Sequence, residues 1–316
     1  MSLITHDLMG NKHDKLQTAI DRLRAFEPPD GYYLAFSGGK DSQCIYHLAE
    51  MAGVKFDAHY RITSVDPPEL VRFIKTQYPN VSVDYPRDKD GKVITMWNLI
   101  PRKLMPPTRL VRYCCSELKE TGGKGRVTLT GVRWAESVNR KKNQGPVVIQ
   151  SKKAAKIAEQ NSADYAEQHK GKGIVLNMDN DAARRTVEQC FRTQKTVVNP
   201  IIDWLDDDVW EFLNDVVKVP HCSLYDQGYK RLGCIGCPMS YRRESELEAY
   251  PKYKAAYLRA LGRMLEERQR RGKETTFKSP QHVMNWMLEK PTEEQPVLDG
   301  QMDISEVEHD GYHGHV

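Results

Sequence analysis

In Tyr32-Tyr33-Leu34-Ala35-Phe36-Ser37-Gly38-Gly39-Lys40-Asp41-Ser42 an apolar strand runs into a glycine pair and then into the helical run Gln43 to Met51. Glycines admit backbone conformations closed to other residues. Successive N–H groups can therefore converge on an anion where a helix presents its unpaired donors and positive end. Lys40 adds a cation, and Ser37 and Ser42 add hydroxyls. The reading is a phosphate-binding turn. Its spacing is not that of the common NTPase loop, which needs a further glycine separated by four residues from Gly-Lys-Ser/Thr, because position 34 is Leu.

Outward from this turn, apolar periodicity alternates between strands and helices. A leading helix over 13 to 26 places Leu16, Ile20 and Leu23 on one face. Strands follow at Lys55 to Ile62, Val81 to Tyr85 and Val127 to Trp134. Helices are expected after Asp66-Pro67-Pro68, at Thr95 to Ile100 and at Asp206 to Val217. Pro251 to Arg271 reads as a long basic helix, with its proline in the first turn. This alternation predicts an α/β fold with a doubly wound parallel sheet, helices on both faces, and a C-terminal cysteine-bearing lobe. Ligands then sit at the carboxyl ends of strands, where Ser37-Gly38-Gly39 and Arg133 fall.

Charge is unevenly spread. From Asn139 to Lys195 there are twelve Lys or Arg against six Asp or Glu, so this stretch is a candidate nucleic-acid surface or else a solvated helical face. Within it, Gln150 to Gln168 reads as an exposed helix. Thr292 to Val316 carries seven acids and no Lys or Arg, and reads as an acidic mobile tail. The expected organisation is a nucleotide-binding domain over 1–138 and 186–220, a basic insertion over 139–185, a cysteine-bearing helical region over 221–291 and the tail over 292–316. No apolar run approaches a membrane span and the N-terminus has no apolar signal core, so the expectation is a cytoplasmic protein with no membrane partner.

Seven cysteines, an odd number in a long chain, point to metal or redox chemistry rather than a disulfide framework. Four form two pairs, Cys114-Cys115 and Cys234-Ile235-Gly236-Cys237, which together make a four-thiolate site. The glycine in the second pair is expected to turn amide N–H groups toward the sulfurs. Adjacent cysteines are less usual for structural zinc, whose pairs are generally spaced, yet a zinc site remains the alternative. Cys44 and Cys190 read as core thiols, and Cys222 as a loop thiol, a substitute ligand or a sulfur carrier.

The order Ser37-Gly38-Gly39-Lys40-Asp41-Ser42 resembles the pyrophosphate loop of the adenine nucleotide alpha-hydrolase superfamily. Further motifs follow in order: Arg112 to Lys119, Gly131 to Arg133, Pro200 to Trp210, Leu224 to Arg231 and Gly233 to Pro238. Together they resemble the phosphoadenosine phosphosulfate (PAPS) reductase family in its cluster-bearing branch. That likeness implies an adenine nucleotide site and a [4Fe-4S] cluster on Cys114, Cys115, Cys234 and Cys237.

Two departures matter. Reductases of the family attack with a cysteine in a C-terminal Glu-Cys-Gly-x-His segment, whereas this sequence has no cysteine after Cys237. They also carry a degraded pyrophosphate loop, whereas Ser37 to Ser42 is intact. The resemblance therefore implies an ATP pyrophosphatase that adenylylates an acceptor oxygen, on a nucleic acid or a nucleotide, and supports replacement of that oxygen by sulfur from a donor protein. Lys40 and Mg2+ would stabilise the departing pyrophosphate, Asp41 would position Mg2+ or cap the helix, and Arg133, Arg184 and Arg185 would meet phosphate or acceptor. The alternatives are an adenylyl sulfate or PAPS reductase producing sulfite, and a nucleotide-gated nucleic-acid-binding subunit. Trp204 and Trp210 are expected in the core, Trp134 as a stacking candidate, and Tyr225, Tyr229 and Arg231 as packing around the cysteines.

Overall fold

A computed structural model describes residues 3–6, 9–151, 153–161, 165–169, 173–177, 180–190 and 195–289. The first half runs β1 (Ile4–His6), β2 (Lys12–Asp14), α1 (Lys15–Ala25), β3 (Tyr32–Ala35), α2 (Lys40–Ala52), β4 (Phe56–Arg61), α3 (Pro68–Gln77), β5 (Ser82–Asp84), α4 (Met96–Lys103) and α5 (Tyr113–Leu118). Then come β6 (Val127–Leu129), α6 (Val138–Asn143), β7 (Val147–Gln150), α7 (Ala154–Gln160), β8 (Tyr165–His169), β9 (Gly173–Leu176), α8 (Asp181–Cys190), β10 (Lys195–Val198), α9 (Asp206–Glu211), α10 (Arg243–Ala249), α11 (Pro251–Arg270) and α12 (Pro280–Met287). The expected acidic tail lies outside the described residues.

Two compact units divide the chain. The first takes in the described residues of Met1–Tyr60, Glu69–Val83 and Gly122–Leu232; the second takes in those of Arg61–Pro68, Asp84–Thr121 and Gly233–Val316.

The sheet of the first unit has the order β5-β4-β3-β6-β10-β7-β9-β8. The pairs β4/β3, β3/β6 and β6/β10 are parallel, which is the arrangement expected from alternating strands and helices. Tyr32, Tyr33 and Leu34 of β3 are all buried, as a strand covered on both faces requires. Beyond β10 the sheet turns antiparallel, through β7, β9 and β8.

That half corrects the reading of the basic stretch. Instead of one exposed helix over Gln150 to Gln168, α7 covers only Ala154–Gln160, and Val147-Val148-Ile149 and Ile174-Val175-Leu176 are buried strands that widen the sheet. Short β-branched runs bury well on a pleated surface, and here burial outweighs the helix propensity of the neighbouring Ala and Lys residues.

The second unit packs α4, α5, α10, α11 and α12 around Leu99, Ile100, Tyr257, Leu261, Met264, Val283 and Met284. Helix α4 runs past Pro101 to Lys103, beyond the stop expected there. Pro101 has no N–H for the carbonyl of Trp97 one turn earlier, and Arg263 Nη2 supplies the missing donor at 2.8 Å. The helix 206–217 is present, its second half being a π-helix over Phe212–Val217.

Candidate nucleotide-binding loop and cysteine centre

In the first unit, β3 delivers the chain to Ser37, and Gly39 is the N-cap of α2 without a side-chain cap. Gly38 has φ +72°, and a Cβ there would lie 2.7 Å from Ile74, so the turn needs glycine on both counts. Ser42 Oγ closes the loop, donating to the Gly39 carbonyl at 2.8 Å and accepting the Ser37 N–H at 3.2 Å. The Lys40 N–H donates to Tyr225 Oη at 2.8 Å. Among the described residues, no acceptor meets the backbone N–H groups of Gly38, Gly39 and Asp41. Unpaired donors at the N-terminus of a 13-residue helix form an anion-binding arrangement.

Gly131 makes the loop's position possible. A Cβ there would stand 2.8 Å from the Asp41 carbonyl carbon and oxygen, so only glycine lets the first turn of α2 lie so close to the chain leaving β6. Behind that contact is a charge network. Arg133, only 2% exposed, donates through Nε to Asp41 Oδ1 at 2.7 Å, through Nη2 to Asp206 Oδ1 at 2.6 Å and through Nη1 to the Trp204 carbonyl at 3.2 Å. Lys40 Nζ lies 3.3 Å from Asp206 Oδ1 and 3.5 Å from Asp41 Oδ2. Burial raises the Asp206 carboxyl, but Lys40 and Arg133 outweigh it and hold the group below its ordinary range.

Asp206 was not singled out from sequence as a site residue, and Tyr225 was read only as packing. The Pro200 to Trp210 motif carries Asp206 to the loop: Arg22 grips Asp203 at 2.9 Å and the Pro200 carbonyl at 3.0 Å, Lys15 pairs with the fully buried Asp208 at 2.6 Å, and Trp204 is fully buried. Tyr225 belongs to the nucleotide loop rather than to packing around the cysteines, with Trp210 edge-on to its ring. Three of the Arg133 donors meet two carboxylates and a carbonyl, which ties it to the loop. Asp41 does not cap α2, because it is engaged with Arg133. Trp134 Nε1 donates to the Gln144 carbonyl, and Arg184 pairs with Glu188 along α8.

All four paired cysteines lie in the second unit and are free thiols. Cys114 and Cys115 occupy the first turn of α5, and Arg112 Nη2 reaches Cys115 Sγ at 3.2 Å. The hydrogen bond from Cys114 raises the Cys114 thiol and holds Cys115 low, and Arg112 adds to the latter. Cys234 Sγ is 3.4 Å from Thr63 Oγ1. Burial pushes the Cys234 thiol up against the opposing charge of Lys119.

Gly236, at φ +70°, turns the second pair, but its N–H donates to Glu246 Oε2 at 3.0 Å and not to sulfur as expected. A carboxylate that also takes the Ser240 hydroxyl at 2.7 Å offers that amide a stronger partner than a thiol. Four reduced thiols with a guanidinium, an ammonium and a hydroxyl about them suit, as a donor set, a thiolate-held centre. Among the described residues no group of three His, Cys, Asp or Glu side chains is arranged to hold a metal ion. Cys222 belongs to the first unit, is fully buried, and has its thiol pushed up by burial. Burial makes it a poor nucleophile. Cys44 is a core thiol, as expected. Among the described residues, no helix is long and apolar enough to cross a membrane.

An uncharacterized protein of Methanocaldococcus jannaschii is 26% identical over 229 residues, covering 69% of this chain and 44% of that protein. An adenosine 5'-phosphosulfate reductase of Oceanobacillus iheyensis is 38% identical over 58 residues, 18% of this chain and 24% of the reductase. The chain thus spans less than half the length of these curated relatives. Among solved structures, an FMN adenylyltransferase of Candida glabrata with FMN and an ATP analogue is 15% identical with a TM-score of 0.39, over 74% of this chain and 72% of that one. A phosphoadenylyl-sulfate reductase of Candida auris is 15% identical with the same TM-score of 0.39, over 69% and 88%. The sequence profile of the phosphoadenosine phosphosulfate reductase domain matches residues 31–240, from the strand that feeds the glycine loop to just past the second cysteine pair. The chain belongs to that family.

Proposed function

We propose that this enzyme cleaves ATP to AMP and pyrophosphate, placing AMP on an acceptor oxygen that sulfur then replaces. The observation that carries the reading is the loop itself: Gly38, Gly39 and Asp41 present unpaired N–H groups beside the Lys40 ammonium. Charge grows on the leaving pyrophosphate as the bond breaks, and fixed donors aimed at it need no reorganisation. Lys40 is the direct phosphate cation, and Arg133 keeps Asp41 and Asp206 in place around it. Mg2+ arriving with ATP is commonly held by one or two carboxylates plus phosphate, a role for which Asp206, with its side chain 63% exposed, is the accessible candidate.

Cys114, Cys115, Cys234 and Cys237 would hold the [4Fe-4S] cluster, with zinc as the alternative occupant. When bound, a cluster supplies redox or sulfur-handling chemistry. This chain's own part is to shield it with Tyr113 and Tyr257 and to place Arg112, Thr63 and Lys119 near the sulfurs. The test is anaerobic protein with α-labelled ATP and Mg2+, following AMP and pyrophosphate.

A second reading, reduction of adenylyl sulfate or PAPS to sulfite, is favoured by the 58-residue similarity to a named reductase. Sulfite release with a thiol donor, and no pyrophosphate, is its signature. The buried Cys222 speaks against an internal nucleophile at that position.

A further inference from the structure

Helix α11 carries a feature that neither the loop nor the cysteines use. A groove of about 460 Å3 is lined by Arg102, Arg263, Glu267, Arg270 and Arg271. A second, of about 950 Å3, is lined by Trp97, Leu258, Arg259, Gly262 and Pro280. Arg263 and Glu266 line both, so the two adjoin. All lie within the second unit.

Arg259, Arg263 and Arg270 stand at i, i+4 and i+11 on one exposed face of α11, about 16 Å long at 1.5 Å per residue, with the exposed Glu266 at i+7 between the last two. Five arginines face two glutamates across the two linings. Glu267 is already engaged by Arg270 at 2.5 Å and Arg271 at 2.6 Å. Trp97 is half-buried, braced edge-on against the buried Tyr257 at 5.2 Å. A backbone-tracking row of cations beside a braced aromatic is the composition that takes single-stranded nucleic acid, with phosphates on the guanidinium groups and a base against the indole. Stacked bases of a duplex cannot reach such a ring.

We infer that the α11 groove binds a single strand of DNA or RNA through Arg259, Arg270 and Trp97, which makes single-stranded nucleic acid the acceptor class. The inference rests on the adenylylation reading only for what is done to the strand, and binding is therefore measured without ATP. The probe is a fluorescein-labelled oligothymidylate and its RNA counterpart, titrated with the full chain by fluorescence anisotropy between 50 and 200 mM salt, with thermal melting of every variant.

Arg259→Glu combined with Arg270→Glu is expected to weaken binding by about tenfold or more and to flatten the log–log salt dependence by about 1.4, at about 0.7 per phosphate contact. Trp97→Leu is expected to weaken it by about fivefold or more. Lys141→Glu with Lys142→Glu, in the basic stretch of the first unit, is expected to leave binding unchanged. No binding by the wild type, wild-type binding by the groove variants, or loss confined to the Lys141/Lys142 variant overturns the inference. So does displacement of the oligonucleotide by a peptide of residues 292–316, which would assign the groove to acidic polypeptide. Acceptor-free ATP cleavage by the wild type, measured alongside, separates failure of the groove from failure of the ATP reading.

Discussion

Arg133 Nε lies 2.7 Å from Asp41 Oδ1, so the first turn of α2 is tied by a part-buried ion pair to the chain leaving β6. Removing one partner of such a pair leaves the other uncompensated and costs on the order of 3 kcal/mol. Arg133→Met is therefore expected to lower the melting temperature markedly and to weaken ATP binding, because Asp41 and Asp206 then repel each other beside Lys40. Denaturant unfolding with nucleotide titration checks this. Unchanged stability would remove the guanidinium from its positioning role.

Gly131→Ala introduces a Cβ that must push on the Asp41 backbone at 2.8 Å. Backbone cannot give way as a flexible side-chain tip does, so a loss of about 1–3 kcal/mol is expected. ATP cleavage should fall more than stability does, since the displaced atoms belong to the phosphate loop. A melting curve and a rate on the same preparation separate the two effects.

Tyr225→Phe removes the acceptor of the Lys40 N–H. The ligand-free protein then carries one more unpaired donor and should lose about 1 kcal/mol. A phosphate oxygen taking that N–H no longer has to displace the hydroxyl. Pyrophosphate affinity, read by calorimetry, should rise by about fivefold, which is the same free energy by linkage. Weaker pyrophosphate binding would mean that the hydroxyl serves the bound state.

Asp206, and Asp57 with its Arg126 and His59 partners, are held below the ordinary carboxylate range. Groups so depressed stabilise the fold above their unfolded pKa near 4, and lose that contribution as pH falls through the folded value. The contribution of these two carboxylates should be flat through neutral pH and decline below about pH 4. Asp206→Asn should flatten part of that decline, by less than about 1 kcal/mol because the side chain is mostly solvent-screened. An unaltered acid limb in that variant would contradict the assignment.

For the cysteines, anaerobic reconstitution is expected to give about four iron atoms per chain with matching acid-labile sulfide. Serine at Cys114, Cys115, Cys234 or Cys237 should abolish it, whereas Cys222→Ser should leave iron content unchanged. Zinc in place of iron in the purified protein would decide for the alternative centre.

Much of the parallel half was legible because its signals are local. The run Tyr32 to Ala35 followed by Gly38-Gly39 is a strand, a turn and a helix start in eleven residues, and Asp66-Pro67-Pro68 announces α3. The antiparallel half was missed because Val147 to Ile149 and Ile174 to Leu176 are short, and are separated by an Ala- and Lys-rich segment whose propensity points to helix. Flanking glycines at Gly145 and Gly173 were the available signal. At the site, Lys40 could be picked from type and spacing, and Gly131 through the Gly131 to Arg133 motif of the family resemblance. Asp206 could not, since an acid opening a helix is ordinarily just a first-turn charge, and only tertiary packing brings it to Lys40.

The most direct measurement is cleavage of α-labelled ATP by anaerobically purified protein with Mg2+, with and without single-stranded nucleic acid, in the wild type and in Lys40→Ala. The account predicts AMP and pyrophosphate in equal amounts, lost on substitution of Lys40. No ATP cleavage under any of these conditions, together with sulfite release from a sulfonucleotide, would contradict it and establish the reductase.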